Sequence, residues 1–452
     1  MRKLIYGLSA AAILAGSPAT AQEPAQGEVS MSPEMPEILT LRERAAIEDA
    51  WLGERLDTVV PALMRENEID MWVLVAREYL EDPVVDTMLN STSLHARRRT
   101  ILVFHDPGEG QEVERLTVSR YGLGGFFESA WNPEEQGHDQ WARFAEIVAE
   151  RDPQKIALNI SSVNAFADGL TSSQYTDLAE ALDPKYRDRI VSGFDLSIGW
   201  LETRIPAEME YYGHIVRVAH SIIGEAFSTK VIEPGVTTTD DVVWFTRQKT
   251  ADLGIDSWFH NSVHIFREGE DEELMGDAVI QKGDLLWIDL GIVYMGLSTD
   301  TQHLAYVLKD GETDAPEGIK AGLRASNDVQ DALTSSFKTG LTGNEILEIA
   351  RKKAIDAGLE PSIYSHPIGY HGHGAGTSIG FWDNQGPTEK GEYRLRANTA
   401  WSIELYAKEA VPEWGGQEIT FRTEEDAFFD GETVTYIDGR QIKLHLIGDT
   451  TE

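Results

Sequence analysis

The chain has 452 residues, with 76 acidic and 39 basic side chains and a formal net charge of -37. A surface of that sign repels nucleic acid and anionic membranes, which excludes both as partners, and a hydrophobic content of 41% excludes a disordered chain. Cysteine is absent, which removes disulfides, thiol nucleophiles and thiolate metal sites.

The N-terminus reads as an export signal. Arg2 and Lys3 precede an apolar stretch from Leu4 to Ala15, and Ala19-Thr20-Ala21 fits a small-x-small cleavage site. Residues 1–21 are therefore expected to be a signal peptide, and 22–39 a linker rich in Glu, Pro, Gln and Ser. The protein is expected to be exported, periplasmic or secreted. Past the signal, no apolar run reaches the roughly 18–20 residues of a membrane span, so the mature chain is expected to have none.

Residues 40–203 read as a first domain of α/β type. Ile47, Trp51, Leu52, Leu56, Val59, Val60 and Leu63 give helical spacing over 41–67. Short buried strands are predicted at 71–75, 100–104 and 155–160, with helices at 138–151 and 172–182 between and after them. A second domain, 204–440, opens with Pro206 at the first turn of a helix. Met209, Tyr212, Ile215, Val216, Ala219, Ile222 and Ile223 continue its apolar face. A second helix runs from Thr238 to Leu253, closed by Gly254. Segments 284–294 and 303–308 read as paired strands around a Met295-Gly296 turn. Further helices are predicted at 321–338 and, from the capping box at Thr342 and Glu345, up to Gly358. Two helices, strands, two helices and more strands hint at a duplicated αβ unit; residues 441–452 read as a tail. The overall class is mixed α/β (α+β).

Five side chains of metal-liganding type lie in this second domain: Asp289 in the apolar W-I-D-L-G, Asp300 in S-T-D-T-Q, His366 opening the glycine-bearing H-P-I-G-Y-H-G-H, Glu404 in the apolar W-S-I-E-L-Y and Glu424 in F-R-T-E-E-D. A buried carboxylate needs a partner, and a cation is one such partner. Two Asp, two Glu and one His make a hard, oxygen-rich shell suited to a pair of divalent ions that activate water. Taken singly, Asp289 and Asp300 read equally well as strand-end carboxylates capping turns, Glu404 and Glu424 read as solvated strand carboxylates, and a surface cluster is the lesser alternative for the histidines; the joint set favours metal and hydrolysis.

Residues from about 205 to 440 resemble the pita-bread metallopeptidases: methionine aminopeptidase, aminopeptidase P, prolidase and their relative creatinase. Asp289-Leu290-Gly291 and Asp300 match that family's first two ligands. The segment from His366 through Gly369 to His373 resembles its histidine motif, and Arg422-Thr423-Glu424 its Arg-x-Glu ending. The N-terminal domain resembles the creatinase-type domain of aminopeptidase P and prolidase. The resemblance implies a C-terminal pita-bread catalytic domain with two divalent metal ions, manganese first, with zinc or cobalt also compatible. Asp289, Asp300, His366, Glu404 and Glu424 would be ligands and Glu424 would bridge. Glu404 would also be the general base, and His373 would contact the substrate, with His371 and Arg422 as further substrate contacts. A peptide cut at an Xaa-Pro bond is the implied substrate, and a homodimer is one assembly this allows.

The chain departs from the family pattern in places. Leu405-Tyr406 replaces Pro-Gly after the base glutamate. Thr301-Gln302-His303 follows the second aspartate where Thr-Arg is common, and Gly374 follows His373 where an acid is common. No histidine lies between Glu273 and Asp284, where the family has a substrate-binding one; His260 and His264 are the nearest. Alternative readings are a creatinase-like, metal-independent C–N hydrolase and a non-catalytic peptide- or protein-binding module.

Overall fold

The computed structural model describes residues 33–448. The expected signal peptide, most of the linker and the last four residues of the expected tail lie outside them.

The N-terminal half begins with α1 (Leu41–Glu66), where Thr40 and Glu43 form a capping box. It continues through β1 (Met71–Arg77), β2 (Arg99–His105), β3 (Glu114–Thr117), β4 (Glu128–Ser129), α2 (Gln140–Arg151), β5 (Ile156–Leu158), α3 (Ser172–Ala181), β6 (Ile190–Ser192) and α4 (Phe194–Glu202). The six strands form one sheet in the order β4-β3-β2-β1-β5-β6, with β1 antiparallel to β2 and parallel to β5. Because successive strand side chains point to opposite faces, β1 serves two cores. Met71, Val73 and Val75 join Trp141, Phe144 and Ile147 of α2. Trp72, Leu74 and Ala76 join Leu56, Val60 and Leu63 of α1. That double burial explains why β1 reads as a continuous apolar run rather than an alternating one.

The second half has α5 (Pro206–Ala226), α6 (Thr239–Asp252), β7 (Ser262–Phe266), β8 (Leu285–Leu290), β9 (Val293–Tyr294), β10 (Leu297–Ser298) and β11 (Thr301–Val307). Then come α7 (Glu317–Thr334), α8 (Gly343–Asp356), β12 (Pro361–Ile363), β13 (His366–Ile368), β14 (Thr399–Ser402), β15 (Leu405–Val411), β16 (Gln417–Thr423), β17 (Asp426–Phe429), β18 (Val434–Tyr436) and β19 (His445–Ile447). Its sheets run β19-β11-β8-β7, β12-β15-β16 and β13-β14-β17-β18. Apolar residues of α5 and α6 pack with β7, β8 and β11, while those of α7 and α8 pack with β12, β14 and β15. An isolated bridge between Gln302 and Glu424 joins the two halves of this arrangement. The order of helices and strands follows the duplicated unit hinted at by the sequence. Among the described residues no helix is long and apolar enough to cross a membrane.

Two expectations change. The segment read as one strand over 284–294 is split: β8 pairs with β11, with Asp289 opposite Gln302, while β9 and β10 form a small hairpin of their own. Met295 and Gly296 take positive φ, 52° and 71°, at its turn, as a tight hairpin requires. Residues 441–448, read as tail, supply β19, which lies parallel to β11 with His445 opposite Ala305. A three-residue strand flanked by polar residues carries too little periodicity to be seen in sequence.

Arg55 ties the two halves together. Its fully buried guanidinium donates to the Thr203 carbonyl at 2.6 Å and to Glu208 at 3.1 Å. Pairing on this scale is needed to bury both charges.

Candidate metal centre and active site

Each of the five acid and histidine segments ends beside the same point. Asp289 is the penultimate residue of β8 and Asp300 directly precedes β11. His366 opens β13, Glu404 sits between β14 and β15, and Glu424 directly follows β16. Asp300, His366 and Glu424 are buried there, while Asp289 and Glu404 are partly open to the neighbouring cavity. His366 Nε2 lies 3.7 Å from Asp300 Oδ2, 3.9 Å from Glu424 Oε1 and 4.0 Å from Glu404 Oε2. Ligand atoms of Asp289, Asp300 and Glu424 lie within 4.8 Å of one another, as do those of His366, Glu404 and Glu424.

The electrostatics of this cluster call for a cation. Burial, then the neighbouring Glu424 carboxylate, pushes Asp289 well above the carboxylate range, and the same two causes act on Asp300. Burial and Asp289 raise Glu404 to about 8. Burial and Glu404 raise Glu424. Burial, with His373 second, lowers His366 to about 3, so its ring is neutral. Three potential ligand atoms, Asp289 Oδ1, Asp300 Oδ1 and His366 Nε2, are buried with no hydrogen-bond partner. Orphaned buried acceptors of this kind are rare and cost about 1–3 kcal/mol each. The His366 Nδ1–H donates to the Pro367 carbonyl at 3.0 Å, which leaves the Nε2 lone pair facing the carboxylates. Four carboxylates and a neutral imidazole in this array fit divalent metal.

His373 stands at the edge of the cluster and is exposed. Its ring meets His366 edge-on at 4.9 Å and Trp258 at 5.1 Å. A Cβ on Gly372 would fall 2.2 Å from the Trp258 indole, and one on Gly374 would fall 2.5 Å from the Pro367 carbonyl oxygen. Glycines therefore flank His373 because only they permit this close packing. His371 is not brought to the cluster. It stacks on Phe166 of the N-terminal half at 4.1 Å, and burial followed by Arg204 lowers it to about 4. His260 meets Arg247 at 2.8 Å and Trp244 near the surface. His264 instead faces Glu273, at 2.7 Å.

A cavity of about 370 Å³ opens beside the cluster, lined by Asp289, Gln302 and Glu404 together with Trp287, Tyr364, Trp382 and Arg422. Arg422 reaches its wall, but the guanidinium is held by Glu273 at 2.5 and 2.9 Å.

Four further residues organise the site. Trp287 Nε1–H donates to Gln302 Oε1 at 3.0 Å, and Gln302 Nε2–H donates to Glu404 Oε1 at 3.1 Å. An indole can only donate, so Trp287 fixes the amide with its NH2 toward Glu404. Ser402 Oγ–H donates to Glu424. Asp426 accepts the Asp300 backbone N–H at 3.2 Å. Gln302 stood out in the sequence only as a departure after Asp300; nothing there marked Ser402 or Asp426.

Behind the cluster lies a second buried group. His220 bridges Asp438, at 3.0 Å from Nδ1, and Glu425, at 3.2 Å from Nε2. His303 Nε2 meets Glu425 at 3.1 Å, and its Nδ1 meets His445 at 3.2 Å. Both nitrogens of His220 face carboxylate oxygens, so its ring is an imidazolium. Burial pulls against that charge, but the hydrogen bonds to Asp438 and Glu425 outweigh it and raise His220 to about 9.

No curated protein matches the chain by sequence. Among solved structures, an X-Pro aminopeptidase from Thermotoga maritima MSB8 is 16% identical with a TM-score of 0.60, covering 85% of this chain and 99% of that one. An Xaa-Pro dipeptidase from Bacillus anthracis is 18% identical with a TM-score of 0.55, covering 90% and 100%. A prolidase from Pyrococcus horikoshii OT3 is 15% identical with a TM-score of 0.54, covering 86% and 99%. These likenesses show a shared two-domain pita-bread architecture. The family model of metallopeptidase family M24 matches residues 213–426, the segment that carries all five clustered side chains. Over that segment, just under half of the chain, the sequence is similar to metallopeptidase family M24, and the match supports a peptidase.

Proposed function

We propose that this protein is a dinuclear, metal-dependent peptidase that cuts peptide bonds at Xaa-Pro. The observation that carries the reading is the convergence of Asp289, Asp300, His366, Glu404 and Glu424, with three buried unpartnered ligand atoms, beside a cavity of about 370 Å³ that Asp289 and Glu404 line. The Xaa-Pro specificity draws on the structural neighbours, two of which are named for that activity. Manganese, zinc and cobalt all suit the donor set.

When bound, such ions would polarise the scissile carbonyl and supply a hydroxide nucleophile at neutral pH. The chain's own residues do the rest. Glu404 is the base: one oxygen is held by Gln302, and its side chain is 24% exposed toward the cavity, so the other oxygen is free to take the water proton and deliver it to the leaving amine. His373, at the exposed edge, hydrogen-bonds the substrate near the reacting carbonyl. Trp287, Tyr364 and Trp382 give the cavity apolar walls suited to a prolyl ring. Export rests on the first 21 residues and remains part of the proposal.

The test is turnover of Xaa-Pro dipeptides and tripeptides by purified protein with manganese or zinc added, alongside metal analysis. Metal-dependent release of the N-terminal residue is expected. Metal-independent C–N hydrolysis, or no bound metal and no turnover, would overturn the reading.

A further inference from the structure

The cavity beside the cluster has one cationic lining residue, Arg422. Its guanidinium is occupied. Glu273 accepts from both terminal nitrogens, at 2.5 and 2.9 Å, a bidentate geometry that satisfies a carboxylate and an arginine together. The ring of Trp287 at 5.2 Å and that of Phe266 at 5.7 Å hold the same group from the side. Glu273 also accepts from His264 Nδ1 at 2.7 Å, and despite the cost of burial these partners keep its carboxyl down at about 2. It is a permanent anion.

The segment that carries Glu273 is built into place. Leu274 exchanges backbone hydrogen bonds with Ile265 of β7, at 2.8 and 3.0 Å. Gln417 on β16 accepts from the Gly269 N–H at 2.9 Å and donates to the Arg267 and Glu270 carbonyls at 3.1 and 2.7 Å. The loop is thus clamped to the strand that bears Arg422, and it delivers Glu273 to the guanidinium.

We infer that Glu273 is a specificity determinant. It masks the cation that would otherwise receive a carboxylate next to the scissile bond, and so directs the site to peptides that continue beyond the prolyl residue rather than to free Xaa-Pro dipeptides. A dipeptide held with its scissile bond at Glu404 would place its C-terminal carboxylate in this same cavity, where the remaining charged lining residues are Asp289 and Glu404. Binding it requires exchanging one carboxylate on Arg422 for another, with no net gain. A peptide amide or a longer peptide has no such requirement. This inference rests on the Xaa-Pro reading above.

The experiment compares an Xaa-Pro dipeptide, its C-terminal amide and an Xaa-Pro-Ala tripeptide on metal-loaded full-length wild type, Glu273→Gln and the double variant Glu273→Gln/Arg422→Met. Wild type should prefer the amide and tripeptide to the free acid. Glu273→Gln should raise kcat/KM for the free acid relative to the amide by ~10-fold or more, the scale of one charge-assisted pair, and the double variant should lose that gain. A wild type that cuts acid and amide equally, or a Glu273→Gln that moves both alike, overturns the inference. If no peptide is turned over, the Xaa-Pro reading fails. The mask is then judged by calorimetric affinity for the same acid and amide pair, where an unchanged ratio in Glu273→Gln refutes it and a shift toward the acid upholds it. Melting curves confirm that each variant is folded.

Discussion

The buried imidazolium of His220 makes a quantitative claim about stability. Its ring is flanked by Asp438 and Glu425 at 3.0 and 3.2 Å, and both nitrogens are engaged. A histidine that titrates near 6.5 in an unfolded chain and at about 9 here binds its proton more tightly when folded. At about 1.4 kcal/mol per pH unit, the difference contributes ~3 kcal/mol. Because the folded value is the higher one, this stability is fully present below pH 6.5 and is lost as pH rises through about 9. Against its burial, the carboxyl of Glu425 is held at about 2 by His303 first and then by His220; the His220 part is the same interaction seen from the partner and is not counted again. Replacing His220 by Gln keeps one donor and removes the titration. Urea unfolding of wild type and His220→Gln, followed at pH 6, 7, 8 and 9.5, reads the term together with its coupling to Asp438 and Glu425. The variant should be less stable by ~3 kcal/mol at pH 6, with the gap narrowing steadily toward pH 9.5. A gap that stays constant with pH would refute the assignment of a buried imidazolium.

The site makes further claims. Asp289→Ala and Glu424→Ala should each lose bound metal as well as turnover, because each removes a carboxylate from the cluster; normal metal content by elemental analysis in both would sink the ligand assignment. His373→Ala should keep its metal and lose ~10²-fold in kcat, the scale for a positioned hydrogen-bonding or proton-transfer group. The opposite pattern, metal lost in His373→Ala and kept in His366→Ala, would exchange their roles. Gln302→Leu leaves Glu404 without its donor and Trp287 Nε1 without its acceptor. It should lower kcat ~10-fold or more with a smaller change in KM, since losing a hydrogen bond to a charged group costs about 1.5–3 kcal/mol; an unchanged kcat would show that Gln302 only packs.

Much of this molecule was legible in the chain itself. The helical spacing over 41–67 and the capping box at Thr342 became α1 and α8 almost to the residue, because local apolar periodicity and end-capping are properties of a short segment. The five acid and histidine residues could be singled out as a joint set: Asp289 and Glu404 follow apolar runs that give a carboxylate no other reason to be there, and Asp300, His366 and Glu424 complete a donor set suited to metal. What only the tertiary structure decided are pairings between distant parts of the chain. Arg422 and Glu273 are 149 residues apart, and Gln302 and Glu404 are 102 apart. Their meeting depends on which strands pair and how a loop is clamped, and no local pattern encodes that. The same holds for His371. It shares its eight-residue segment with His366 and His373, yet the backbone turns it onto Phe166 of the N-terminal half. Residue type set what each side chain was able to do. Packing over long sequence separations set which partner it met.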